Sequence, residues 1–179
     1  MRLPTRDKPR SAELTTAAGP ELFDALPTRG RPAAATRSHG WVWLAARMLG
    51  ALAVLATGAV HLHEFEGLYS QIPTIGTLFL LNVLGATAIG LGLLAPVERT
   101  GGRHGSALLV LLALAGIALA TVAFAFLEIS QHTPLFGFRD PGYDPTGIDA
   151  VRAAELATVL FLGLFLVGRL GLKAPMRRW

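Results

Sequence analysis

Residues 106–127 read SALLVLLALAGIALATVAFAFL, twenty-two consecutive positions without a charged or amide side chain. As a helix rising 1.5 Å per residue this stretch is about 33 Å long, and the hydrocarbon core of a bilayer needs roughly 20 apolar residues. A helix this apolar all round must be covered on every side, by protein or by lipid. The rest of the chain leaves no polar material to do the covering. Three more windows of the same kind, at about 41–63, 75–96 and 147–172, join the one at 106–128 and occupy most of the 179 residues. The second is free of charge, the first contains Arg47, and the fourth carries Arg152 and Glu155 near its start and Arg169 near its end. The composition agrees: 52% of the residues are hydrophobic and 16% charged, against about 45–50% and about 25% in soluble domains. Mean hydropathy is +0.49. The expected fold is therefore all-α, a four-helix transmembrane bundle spanning 41–172 and surrounded by the lipid bilayer.

Lysine and arginine are retained on the cytoplasmic side of spanning segments. The segment before the first span holds Arg2, Arg6, Lys8, Arg10, Arg29, Arg31 and Arg37, the second connection holds Arg99 and Arg103, and the last residues hold Lys173, Arg177 and Arg178. The first connection, HLHEFEGLYSQIPT (61–74), has no lysine or arginine, and the third, Glu128 to Asp149, has only Arg139 against four acids. Both termini are expected in the cytoplasm, with the first and third connections outside, in the cytoplasmic membrane. The pI near 10.3 then reflects topology, and nucleic acid is not an expected partner. Residues 1–40 contain five prolines and scattered charges of both signs, the pattern of a disordered basic cytoplasmic tail. Residues 173–179 form a second, short basic tail. Trp41 and Trp43 fall where an interfacial aromatic belt is expected, and Arg47 lies about 6–9 Å deeper along the helix. Two readings stand for Arg47: it snorkels back to the interface, or it meets an acid from another helix.

The two halves of the chain are alike in outline. In the first, Glu64 is followed by Pro73-Thr74 and then Asn82; in the second, Glu128 is followed by Pro145-Thr146 and then Glu155. A pair of tandem two-helix repeats would produce this order. Both Pro-Thr pairs suit the first turn of a helix, and Thr146-Gly147-Ile148-Asp149 has the spacing of a capping box. Small residues four apart, Ala46 and Gly50, Ala86 and Gly90, Ala88 and Gly92, Gly116 and Ala120, allow helices to approach closely, within the bundle or in a dimer.

Titratable residues crowd one end: His61, His63, Glu64, Glu66, Glu128 and His132. On a helix, residues three and four apart share a face, so His61 pairs with Glu64, His63 with Glu66 and Glu128 with His132. Imidazole and carboxylate together suit a divalent metal, although the order His-x-x-Glu reverses the Glu-x-x-His of carboxylate di-iron bundles. Histidines at matching depth for a haem are lacking, and no cofactor is expected. Glu155 is one to two turns inside the fourth span, where a carboxylate is costly without a partner. Arg152 is the nearest candidate on its own helix, with Asn82 or a histidine available across the bundle. The chain has no cysteine, which excludes disulfides, thiolate metal sites and thiol redox chemistry. The third connection contains Phe136, Phe138 and Tyr143 among three prolines, and with Phe65 and Tyr69 it is apolar enough to plug the bundle, lie at the lipid interface or receive a partner.

At HLHEFEGLYSQIPTIGTLFLLN and PLFGFRDPGYDPTGI the chain is similar to uncharacterised four-span integral membrane proteins of bacteria, over about residues 41–172. ARMLGALAVLATGAVHL resembles, more faintly, the start of the DoxX-like four-helix membrane proteins. These resemblances imply a four-span bundle and place no site residue. With no nucleophile or nucleotide signature, the expected role is a non-enzymatic accessory or scaffold subunit, as a homo-oligomer or within a larger membrane complex. The alternative is a small transport or metal/ion-binding protein using the His/Glu cluster.

Overall fold

The computed structural model describes residues 35–67, 69–139 and 144–171. It is a bundle of four long helices, α1 (Ala35–Gly67), α2 (Pro73–Leu94), α3 (Val97–His132) and α4 (Pro145–Gly171), with a single 3₁₀ turn, Tyr69–Gln71, between α1 and α2. All four are long and apolar enough to cross a membrane, and the protein is an integral membrane protein in that sense. The helices run up, down, up and down. Each packs on its neighbours in sequence, α4 closes the ring on α1, and the backbones of α2 and α4 stand apart across the diagonal. One end of the bundle carries the two long connections and is called here the loop end. The other, where α1 begins, α2 turns into α3 and α4 finishes, is the arginine end.

The packing is small inside and large outside. Ala46, Ala51, Ala86, Ala113 and Ala120 are buried, whereas Leu111, Leu160 and Val167 are more than 60% exposed. Water would reject such a surface; lipid accepts it, and close backbone approach then supplies the cohesion between helices. Leu162, fully buried on α4, shows how this works. Its side chain fits between Gly50 of α1 and Gly116 of α3, and a Cβ at Gly116 would lie 2.7 Å from Leu162 Cδ1. Of the eight small residues read as interface formers, all but Ala88 and Gly92 are buried within the bundle.

Helix limits differ from the sequence reading in ways that local chemistry explains. α1 begins at Ala35, so residues 35–40 are helix and not part of an unstructured tail; the last proline that would block it is Pro32. The expectations for residues 1–34 and 172–179 lie outside the described residues. α1 continues to Gly67, and α3 begins nine residues early, at Val97, just after Pro96. A break at Gly102, with φ +50°, separates its first turn from the long span, a conformation that glycine adopts without penalty. α4 starts on Pro145 with Asp144 as its cap: Asp144 Oδ1 accepts from the backbone N–H of Thr146 at 3.0 Å and of Gly147 at 3.1 Å. The expected Thr146–Asp149 box is displaced by this arrangement, because proline is preferred at the first helical position and aspartate is among the strongest caps before it.

Candidate functional site

α2 and α4 both begin with proline at the loop end, and nine and ten residues later each turns a polar side chain inward. Asn82 on α2 is 6% exposed and Glu155 on α4 is 1% exposed. At 1.5 Å per residue both lie about 14–15 Å below the start of their helices. The backbones of α2 and α4 stay apart across the diagonal of the bundle. A cavity of about 240 Å³ lies between them.

Every element contributes to the wall of this cavity. α1 supplies His61 and Glu64, the 3₁₀ turn Tyr69, α2 Phe79 and Asn82, α3 Phe126 and Ser130, the following loop Leu135 and Phe138, and α4 Ile148 and Glu155. The roof is aromatic. Tyr69 stacks on Phe79 with ring centroids 4.5 Å apart, and Phe138 meets Tyr69 edge-on at 5.6 Å. Leu135 and Phe138 are paired by two backbone hydrogen bonds, at 2.6 and 2.9 Å, around Phe136 and Gly137, which both have positive φ. This is the geometry of a tight two-residue reverse turn, and it carries the two flanking residues to the cavity together. Between α2 and α3 the wall is thin. Leu81 and Val122 line the cavity yet are 58% and 53% exposed on the outside of the bundle.

Both carboxyl oxygens of Glu155 and the amide oxygen of Asn82 are buried without a hydrogen-bond partner. Arg152, expected as the partner of Glu155, is engaged elsewhere. Its Nε donates to Glu128 Oε1 at 2.7 Å and its Nη2 to Gln131 Oε1 at 3.2 Å, and Nη1 is 3.7 Å from Asp149 Oδ1. Arg152 lies about one turn nearer the loop end than Glu155 and about 60° around the helix from it, so it stands at the rim, partly exposed, while Glu155 faces the interior.

The remaining His/Glu residues do not converge. His61 lines the cavity, with Nδ1 2.9 Å from the Thr57 carbonyl; donation to that carbonyl leaves Nε2 as the acceptor in the neutral ring. Glu64 reaches the first turn of α4, where a Cβ on Gly147 would collide with its carboxylate. His63 and Glu66 are exposed, Glu128 is held by Arg152, and His132 Nδ1 is 2.9 Å from the Glu128 backbone carbonyl. Among the described residues no group of three or more histidine, aspartate or glutamate side chains is placed to hold a metal ion.

No family model, curated protein or solved structure matches this chain.

At the arginine end the guanidinium of Arg47, 6% exposed, points into the bundle. Nε donates to the Leu93 carbonyl at 2.6 Å, Nη2 to the Ala95 carbonyl at 2.9 Å, and Nη1 is 3.5 Å from Glu98 Oε2. Glu98 is shared with Arg169, which also donates to Ser106 Oγ at 2.6 Å. Trp41 is 66% exposed, while Trp43 lies against Gly168 of α4, where no side chain would fit. Glu98 was not singled out by the sequence reading. Its signal was that it is the only acid between Glu66 and Glu128.

Proposed function

We propose that this integral membrane protein binds a small molecule in the cavity at its loop end, as a ligand-binding or transport protein of the cytoplasmic membrane. The observation that carries the reading is the hollow itself, with Glu155 and Asn82 buried in its wall and lacking partners. Polar groups in a dry interior are costly unless paired, and a bundle that needed only external surfaces would fill this space with leucine. A cavity of 150 Å³ accommodates benzene, so about 240 Å³ suits a ligand of about ten heavy atoms. The exposed Leu81 and Val122 make the bilayer the nearest source of such a molecule.

The orientation proposed with this function has both termini and the α2–α3 connection in the cytoplasm. It is supported by the arginines at that end, Arg99 and Arg103 included, and by the near absence of lysine and arginine from the other connections. The cavity then faces the outer half of the membrane.

The test is to purify the protein with its native lipid in detergent-free discs and compare extracted small molecules from the wild type and from Ala123→Phe, which places a ring in the cavity. A species enriched with the wild type and lost from the variant is expected. Identical profiles, with the same partner protein accompanying both, would overturn the reading and favour an accessory subunit.

A further inference from the structure

We infer that the ligand of this cavity is a lipophilic organic cation, an ammonium on an apolar body, with Glu155 as its counter-ion. The inference rests on the cavity reading above and adds the sign of the ligand's charge. Three carboxyl side chains line the cavity, those of Glu64, Asp144 and Glu155, and no lysine or arginine does. The one arginine close in sequence is held away from it by Glu128, Gln131 and Asp149. A fatty acid or other anion would be set against like charge on several sides. A neutral ligand would leave Glu155 without a counter-ion, and a buried carboxyl in that position is neutral; an ammonium is the ligand that lets it act as a carboxylate and form a charged pair.

Hydrogen bonding points the same way. The unpartnered atoms in the wall, Glu155 Oε1 and Oε2 and Asn82 Oδ1, are oxygens, and all three can accept from a donor once Glu155 is ionised beside a cation. An ammonium group carries donors and positive charge together. The rings of Tyr69, Phe79 and Phe138 line the same space, and aromatic faces attract organic cations. A metal ion fits poorly, because it needs several converging ligands and the described residues offer no such group. The apolar wall of Leu78, Leu119, Ile148 and Val151 instead matches a hydrocarbon body.

The experiment uses 4-phenylbutylamine, 4-phenylbutan-1-ol and 4-phenylbutyrate, which share one apolar body and differ in head group. Binding is measured by calorimetry to the full chain in phosphatidylcholine discs, with empty discs subtracted. The amine is expected to bind at least about tenfold more tightly than the alcohol, the increment of a charged hydrogen bond over a neutral one. Glu155→Gln should bring the two to near equality, and Asn82→Leu should weaken the amine while leaving Glu155 in place, so that a folding defect in either variant does not decide the outcome. Equal binding of amine and alcohol to the wild type, or tightest binding of the butyrate, overturns the cationic ligand while leaving the cavity as a binding site. Unchanged preference for the amine in Glu155→Gln overturns the counter-ion. Failure of all three to bind, with small-molecule profiles that do not respond to Ala123→Phe, removes both readings.

Discussion

Replacing Arg47 by methionine keeps most of its length and removes everything its guanidinium does. Two of its donors, at 2.6 and 2.9 Å, satisfy the carbonyls of Leu93 and Ala95 where α2 ends. Carbonyls at a helix C-terminus have no partner within the helix and carry its negative pole. The Leu91 carbonyl is already taken by the Ala95 N–H at 3.0 Å, and Arg47 caps two further carbonyls of this terminus from a different helix. A hydrogen bond from a charged donor contributes about 1.5–3 kcal/mol, and two give about 3–6 kcal/mol before relaxation. A buried acceptor left without its donor costs about 1–3 kcal/mol, and the substitution leaves two such carbonyls. The ion pair with Glu98 adds little, since Glu98 is partly exposed and keeps Arg169 as a partner. Arg47→Met is therefore expected to lower unfolding free energy by about 2–6 kcal/mol, read from denaturation midpoints in mixed micelles. Arg47→Lys, which keeps the charge but not the planar fork of donors, should recover part of the loss. Coupling between Arg47→Met and Glu98→Gln should stay below about 1 kcal/mol. An arginine that merely snorkels to the interface would lose no more than about 1 kcal/mol. A result of that size for Arg47→Met would refute the capping role.

In ligand-free protein, Glu155→Leu should raise stability by about 1–3 kcal/mol, because an unpaired buried polar group is exchanged for a packed apolar one; a comparable loss in thermal unfolding would show that the carboxyl already has a partner. Gly116→Val drives a side chain into Leu162, and overpacking of this kind costs about 1–3 kcal/mol. Leu162→Ala in the same background should restore part of the loss, and additive losses in the double mutant would refute direct contact. Because His61, His63, Glu64, Glu66, Glu128 and His132 do not converge, elemental analysis of the purified protein is expected to find substoichiometric zinc, manganese and iron. One equivalent of any of them, absent from His61→Ala, would contradict that placement.

Some features were fixed by the sequence because they depend on one-dimensional quantities. The span at 106–127 needs only its length and freedom from charge, and four such spans in 179 residues force a helical bundle in lipid, since backbone groups inside a bilayer must be satisfied within each helix. Pro73 and Pro145 likewise marked the starts of α2 and α4 to within two residues, because proline lacks an N–H wherever it stands. The depth of Asn82 and Glu155 was legible by the same counting. What faces them was not. Arg152 and Glu155 are three apart and share a helix face, yet Arg152 stands at the rim within reach of Glu128, and Glu155, a turn deeper, faces the interior without a hydrogen-bond partner. Arg47 and Glu98 are far apart in sequence, and nothing local to either says that α2 ends beneath the guanidinium. The cavity is the clearest case. It lies where the backbones of α2 and α4 stand apart across the diagonal of the ring, and which helices are neighbours is settled by close fits such as Leu162 between Gly50 and Gly116. Packing between apolar helices depends on shape in three dimensions, and hydropathy along the chain carries no record of it.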